Sequence, residues 1–238
     1  MSSIWNNKCS LNLFKHLPHS ANMFNIHTHI IDSLPCLYSI GNKETPAYLP
    51  KHAALSAGMH PWCVTSNWKD SFEHIAHIAS RDDVWAIGEC GLDKMRGASI
   101  DVQMEAMRAH INLAEQLRKP MVVHCVKAFD QLLMLRIELE QACKHSGNTP
   151  QPWVIHGFRG KPEQAKQLVA KGLYLSFGHQ YNVETVRCLF NCGHPFYLET
   201  DDLHLSVCHI YEQVAHHLDV DTSHLESLCD PLQKFFHR

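Results

Sequence analysis

Short apolar runs alternate with longer amphipathic stretches along most of the chain. Eight of the runs have the length and composition of buried β-strands. They span residues 24–29, 36–41, 54–59, 84–89, 121–126, 153–158, 173–178 and 195–200. Between them, apolar residues recur at helical spacing in stretches that begin near residues 67, 99, 127, 161, 182, 204 and 223. This alternation predicts repeated βα units with parallel strands.

Eight strands in this rhythm favour an α/β fold, a (β/α)8 barrel of the TIM type, formed by one domain over residues 1–238. The connection after strand 2 is polar and interrupted by proline (NKETPAYLPKHA), so its helix is expected to be missing or shortened. A doubly wound open sheet is the alternative fold, but it predicts no gathering of polar groups at all the strand ends. Residues 1–22 are expected to be an N-terminal extension without an assigned role.

Composition and charge argue against several classes of protein. Hydrophobic residues make up 45% of the chain and the net charge is −3, which argues against binding nucleic acid through bulk charge but allows a local basic patch. No apolar run is long enough for a secretory signal or a membrane span. The ten cysteines form no CxxC pair and are interpreted as reduced thiols. We therefore expect a cytoplasmic protein with no obligate protein partner.

Histidines and acids stand at the ends of the predicted strands. Two imidazoles one residue apart, in FNIHTHI, share one face of the first strand. Ionisable groups inside apolar runs are costly unless they are paired or bind metal. In a barrel the carboxyl ends of the strands build the active site. The residues at these ends are His27, His29, His60, Glu89, His124, His156 and Asp201.

The donor types suit two divalent cations. Neutral imidazoles supply nitrogen ligands, a carboxylate such as Glu89 can bridge two metals, and Asp201 can bind a metal and accept a proton from an attacking water. Mixed nitrogen and oxygen ligands leave magnesium, manganese and zinc all open. The expected metal ligands are His27, His29, Glu89, His124, His156 and Asp201, with Glu89 and Asp201 also catalytic.

Six segments in order resemble the motifs of the TatD-type metal-dependent hydrolases, a family of the amidohydrolase-like superfamily of (β/α)8 barrels. The segments are FNIHTHI, AGMHPW, AIGECGLDK, PMVVHCVKAFD, VIHGFRG and YLETD. The resemblance implies a DNase or phosphodiesterase that uses a metal-activated water. It places the family's metal ligands on the same six residues, turns His60 toward the substrate phosphate, and gives Asp93 a supporting role beside the ligands.

The chain departs from the family's motifs at two places. Val126 stands where the family usually has arginine, and Arg159 is a candidate to replace that phosphate contact. Asp202 and His204 alter the rim beside Asp201, which concerns the choice of substrate. Two alternatives stay open: a metal-dependent ester or amide hydrolase such as a D-aminoacyl-tRNA deacylase, and a structural metal site in a binding protein.

Overall fold

A computed structural model describes residues 23–31, 34–41, 50–51 and 53–229. Eight parallel strands close into a barrel in chain order, and β8 pairs with β1. The strands are β1 Asn25–Thr28, β2 Cys36–Ser39, β3 Ala53–Ala57, β4 Val84–Asp93, β5 Met121–Val126, β6 Trp153–Ile155, β7 Leu173–Phe177 and β8 Tyr197–Leu198. The closed barrel confirms the predicted (β/α)8 fold and excludes the open doubly wound sheet.

Seven α-helices accompany the strands within the described residues. They are α1 Trp68–Ala79, α2 Ile100–Leu117, α3 Phe129–Ser146, α4 Pro162–Val169, α5 Val183–Asn191, α6 Val207–Leu218 and α7 Thr222–Leu228. A short 3-10 helix, Pro61–Cys63, follows β3. Each predicted helical stretch overlaps one of these helices, although α3 ends two residues later and α7 begins one residue earlier than predicted. Residues 42–49 and 52 of the connection after β2 lie outside the described residues, as does the extension 1–22, so predictions about them stay untested.

The barrel interior is apolar. One buried cluster takes side chains from β1 to β6 and β8, together with Phe24 just before β1, and Tyr174 of β7 packs against it. Side chains of all eight strands can meet only inside the closed barrel. A larger cluster joins the outer faces of the strands to the helices. The strands are buried on both sides, as in other parallel sheets, and this explains their continuous apolar runs in the sequence.

Strand β4 is longer than predicted. The expected strand ended at Glu89, but pairing with β5 continues to Asp93. Gly91 permits this extension because it lies opposite His124 with φ +154°, and a Cβ here would come 1.9 Å from the His124 carbonyl oxygen. The backbones of the two strands therefore approach closely beside the polar residues. The long strand carries Glu89 in its interior and Asp93 at its end.

The cysteines in these central strands agree with the interpretation as reduced thiols. Cys90 of β4 and Cys125 of β5 are free, and Cys90 is fully buried. Burial raises the pKa of the Cys125 thiol to about 12 and that of Cys90 further still. Both thiols are therefore protonated at neutral pH and act as small apolar side chains.

Candidate metal centre

The barrel brings the predicted ligands together at one end. His27 lies in β1, Glu89 in β4 and His124 in β5. The others follow their strands within three residues: His29 after β1, His60 after β3, His156 after β6 and Asp201 after β8. All of these positions are at the carboxyl ends of the strands, where barrels of this type place their active sites. All six expected metal ligands thus meet at one mouth, together with His60.

Glu89 is the centre of the cluster. Its side chain is almost fully buried, and five imidazoles surround its two oxygens. Oε1 lies 2.8 Å from His156 Nε2, 2.9 Å from His124 Nδ1 and 3.1 Å from His60 Nε2. Oε2 lies 3.2 Å from His29 Nε2 and 3.4 Å from His27 Nε2. Each oxygen thus faces a separate set of nitrogen donors, as a carboxylate that bridges two cations does.

Three groups of donors have the spacing of a metal site. In each group the ligand atoms lie within 4.8 Å of one another. The groups are His27, His29 and Asp201; His27, Glu89 and His156; and His60, Glu89 and His124. Glu89 and His27 each belong to two groups, so the positions adjoin. The described residues can therefore hold metal ions at this mouth, as the sequence analysis predicted.

The surroundings of His27 indicate whether these residues fit a cation. Its ring is fully buried, yet neither Nδ1 nor Nε2 has a hydrogen-bond partner among the described residues. The nearest acidic oxygens to Nε2, those of Glu89 and Asp201, stand 3.4 and 3.6 Å away. An unsatisfied buried nitrogen costs about 1–3 kcal/mol. Coordination of a cation between Nε2 and the two carboxylates would satisfy it, so the donor set fits a divalent ion.

The charges of the cluster are tightly coupled. Burial and the neighbouring His156 disfavour protonation of His27, but the carboxylates of Asp201 and Glu89 outweigh both and raise the pKa of His27 to about 9. Burial also opposes ionisation of Glu89, but His156 and His124 hold the pKa of Glu89 well below its usual range. The protein alone thus balances its buried acid with protons on histidine. A divalent cation would take the place of those protons.

The backbone of Asp201 is tied to β1. Its amide donates to the His27 carbonyl (3.1 Å), and its carbonyl accepts from the His29 amide (2.8 Å). Asp201 also adopts φ +54°, a left-handed conformation that aspartate tolerates better than most residues. The two strand ends are therefore locked together, and the Asp201 carboxylate is held beside both histidines. Its side chain is 42% exposed, against 4% for Glu89, so Asp201 is the acid that faces the opening.

His60 and His124 each have a further neighbour beside the ring. His60 caps the 3-10 helix, where its Nδ1 accepts from the Trp62 amide at 3.1 Å, so Nε2 is left to face Glu89. Asp93 lies with Oδ2 3.5 Å from His124 Nε2, on the side of that ring away from Glu89. Asp93 thus stands beside a candidate ligand, where the family resemblance placed it. His60 also belongs to a donor group, although the resemblance turned it toward phosphate.

Glu199 is a buried acid that the sequence analysis missed. Its Oε1 lies 3.4 Å from His156 Nδ1, and Oε2 accepts a short hydrogen bond from the Ser176 hydroxyl. Both Glu199 and Ser176 are fully buried. This pair orients His156 from behind, with Nε2 toward Glu89. The available signal was an acid two residues before Asp201 in an otherwise apolar strand.

Arg159 lies apart from the donor groups. Its guanidinium donates to the Gln180 side chain at 2.9 Å, and the residue is exposed. It nevertheless lines one small pocket with Gly178, Asp201 and Asp202. The pocket opens beside the exposed carboxylate of the centre. Its suggested contact with phosphate stays a prediction.

Similar proteins were found in curated sequences. The chain is 32% identical over 133 residues to a "3'-5' ssDNA/RNA exonuclease TatD" of Escherichia fergusonii, a match that covers 52% of this chain and 45% of the relative. It is 33% identical over 129 residues to the protein of the same name from Citrobacter koseri, with 50% and 44% covered. The chain spans about half the length of the curated relatives it matches.

Solved structures share the fold over nearly the whole chain. YJJV, a TatD homolog from Escherichia coli K12, has a TM-score of 0.70 at 15% identity and covers 92% of this chain and 99% of its own. A TatD family hydrolase from Entamoeba histolytica has a TM-score of 0.67 at 13% identity, with 91% and 98% covered. At these identities the likeness concerns the fold.

The family itself follows from a longer sequence match. Residues 25–201 match the sequence profile of the TatD related DNase family, an interval that runs from the first strand to the acid after the last. These matches give no support to the deacylase alternative. The chain belongs to the TatD related DNase family.

Proposed function

We propose that this protein is a divalent-metal-dependent nuclease that hydrolyses phosphodiester bonds of DNA, removing nucleotides from the 3′ end of a single strand. The observation that carries the proposal is Glu89, a buried carboxylate whose two oxygens face separate groups of imidazoles. The relatives named as 3′-5′ exonucleases support the direction of cleavage and the single-stranded substrate. We further expect the protein to act in the cytoplasm, without an obligate protein partner.

The donor set supports two ions. Structural metal sites usually close with four ligands, whereas six predicted ligands and His60 surround this mouth. Both ions would share Glu89, with His27 and His29 beside one of its oxygens and His124 and His156 beside the other. Asp201 would join the side of His27 and His29, which its carboxylate faces. Magnesium, manganese and zinc all accept such mixed ligands. A purely structural metal site does not account for a donor set of this size.

The chain's own residues divide the chemical work. Bound divalent cations would acidify a water molecule and neutralise charge on the phosphoryl group. Burial opposes ionisation of Asp201, but its contact with His27 dominates and lowers the pKa of Asp201 to about 2. Its carboxylate is therefore charged at neutral pH, and its position at the opening lets it orient the attacking water and accept the proton. Glu89 is almost fully buried, and its catalytic role in this proposal is to hold the ions in place.

Two residues are candidates for phosphate contact. His60 has a side chain 20% exposed and stands at the edge of the cluster, where Nε2 can donate to a phosphate oxygen. Arg159 lines the pocket that contains Asp201, and a guanidinium can form two parallel hydrogen bonds with phosphate. Such local contacts would compensate for the chain's net negative charge. Phosphate binding by these residues would support the nuclease proposal, which depends first on the metal centre.

The test is a metal-dependent cleavage assay with a 5′-labelled single-stranded oligonucleotide. We expect chelator-treated protein to be inactive, and manganese or magnesium to restore a ladder of products shortened from the 3′ end. Asp201→Asn should reduce cleavage more than tenfold without unfolding the protein, because asparagine also tolerates the left-handed backbone. Asp202→Asn removes an equal charge from the neighbouring exposed acid and serves as the matched control.

Three outcomes would contradict the proposal or its assignment of the base. Full activity in the chelator would show that the donor cluster does not supply the chemistry. Asp201→Asn activity above one tenth of wild type, in protein that still binds the metal by calorimetry, would remove Asp201 from its role as base. Loss of activity in Asp202→Asn but not in Asp201→Asn would show that the base is Asp202 and not Asp201.

A further inference from the structure

Trp62 and Arg96 form an exposed stack beside the metal centre, and we call this pair the stacking platform. We propose that the platform binds one unpaired nucleobase of the substrate strand by stacking on the outer face of the Arg96 guanidinium. The inference rests on the proposed nuclease function, because it assigns a place to the base next to the phosphate that is cleaved. It names a subsite for the base, whereas the metal centre acts on the phosphate.

The geometry of the pair is that of a flat binding surface. The guanidinium carbon of Arg96 lies 3.8 Å from the centre of the Trp62 ring, which is van der Waals contact for a planar cation over an indole. Trp62 is 44% exposed, and Arg96 is also exposed. A stacked guanidinium still presents its second face to solvent. Flat aromatic rings stack on guanidinium planes in many complexes with single-stranded nucleic acids.

The indole is held in a fixed orientation. Trp62 Nε1 donates a 2.6 Å hydrogen bond to Asp93 Oδ2, and the Met95 amide donates to Asp93 Oδ1 at 2.7 Å. Asp93 is itself buried and stands beside His124. The same carboxylate thus fixes the platform and contacts the metal centre. A surface fixed before the ligand arrives loses less entropy on binding.

The loop that carries Arg96 is also held from below. The buried Gln103 side chain donates to the carbonyls of Asp93, Arg96 and Ala98 at 2.8–3.1 Å, and its oxygen accepts from the Asp93 amide. Gly97 touches the neighbouring loop, since a Cβ there would lie 2.5 Å from the Pro61 carbonyl oxygen. The loops of the two platform residues are therefore in direct backbone contact, which keeps the stack in place.

The platform is adjacent to the reacting centre. The Trp62 ring lies 4.6 Å from the His60 ring and 5.9 Å from the His124 ring, measured between centroids. A phosphate bound at the centre would therefore have the platform beside it, on the side of β3 and β4. Stacking uses the face that every base possesses, so the subsite would accept all four bases. It would reject paired bases, whose faces are already covered by their neighbours in a duplex.

The test distinguishes the contribution of bases to binding from that of phosphates. Binding of labelled dT10 is compared with binding of a labelled oligomer of ten abasic tetrahydrofuran nucleotides, which carries the same phosphates without bases. Fluorescence anisotropy measures the dissociation constants in chelator, and cleavage with manganese, magnesium or zinc is measured separately. The variants are Trp62→Ala and Arg96→Lys. The second variant keeps the positive charge but removes the planar guanidinium. Met134→Ala on α3 and Arg187→Lys on α5 are matched exposed controls.

We expect wild type to bind dT10 more tightly than the abasic oligomer. Trp62→Ala and Arg96→Lys should each weaken dT10 binding about tenfold, the usual loss for one stacked base, and change abasic binding less than twofold. The inference is overturned if wild type fails to distinguish the two oligomers. It is equally overturned if Arg96→Lys behaves as wild type, because charge alone would then explain Arg96.

The two proposals fail in different ways. Base-dependent binding without cleavage in manganese, magnesium or zinc would leave the platform in place and refute the nuclease. Cleavage at equal rates for dT10 and the abasic oligomer would refute the platform and leave the nuclease. Thermal unfolding of each variant checks that its fold is intact, and the conservative Arg96→Lys change carries the conclusion if Trp62→Ala is unstable.

Discussion

His110 makes the stability of this protein depend on pH. The residue lies in α2, almost fully buried, and packs edge-on against Phe72. Its Nε2 accepts from the Met59 amide at 3.0 Å, and Nδ1 donates to the Ala106 carbonyl at 2.8 Å. Both ring nitrogens are therefore satisfied only in the neutral form. A second ring proton would point at the Met59 amide, which is itself a donor.

The magnitude follows from the pKa shift. Burial lowers the pKa of His110 to about 4, in spite of its bond to the Ala106 carbonyl. In the unfolded chain histidine has a pKa of about 6.5, so between these values the unfolded state binds a proton that the folded state does not. The free energy of unfolding must therefore fall as the pH falls from 6.5 to 4. The loss is about 3 kcal/mol in total, of which about 2 kcal/mol comes between pH 7 and pH 5.

The assay compares urea unfolding at pH 7 and pH 5, in chelator so that metal binding does not contribute. His110→Gln keeps a donor and an acceptor but no longer titrates, so wild type should lose about 2 kcal/mol more than this variant. His145→Gln is the matched control, because His145 makes the same contact with a carbonyl four residues earlier but is exposed. Equal pH dependence in wild type and His110→Gln would refute the reasoning.

Two further predictions concern the supports of the metal centre. Ser176→Ala should destabilise the protein by about 1–3 kcal/mol and weaken metal binding, because one oxygen of buried Glu199 loses its donor. Chemical unfolding and calorimetry measure the two effects, and Ser56→Ala should be nearly neutral, since the buried Ser56 hydroxyl has no partner among the described residues. Gly147→Ala should lower the free energy of unfolding by about 1–2 kcal/mol, because of its positive φ. Gly91→Ala should lower it further, because of these two glycines Gly91 alone faces a close backbone. Equal melting temperatures for the two glycine variants would contradict this explanation.

Much of the fold could be predicted from local patterns. Parallel strands buried on both sides produce continuous apolar runs, and outer helices produce a repeat of about 3.6 residues. The strands β1 to β8 therefore fell within or close to their predicted ranges. The end of β4 was predicted wrongly, since its last four residues, including Gly91, do not have the composition of a strand. Their pairing with β5 depends on a neighbour far along the chain.

The gathering of the candidate metal ligands at one mouth was predictable for a related reason. A histidine or acid at the end of an apolar run stands out from its surroundings, and barrel closure brings such ends to one mouth. Glu199 went unrecognised because its role, the orientation of His156, depends on contacts with Ser176 and His156. These two residues come from other parts of the barrel. Burial alone, which no local pattern reports, distinguishes it from an ordinary strand glutamate.

The sequence by itself determined the order of strands and helices, the barrel class and the chemical types of the candidate ligands, because these follow from periodicity and from the cost of burying charge. The tertiary structure decided which atoms meet. The separate sides of Glu89, the lock between Asp201 and β1, and the stack of Arg96 on Trp62 all depend on strand register and loop contacts. These are long-range properties, since residues distant in the chain become neighbours only when the barrel closes.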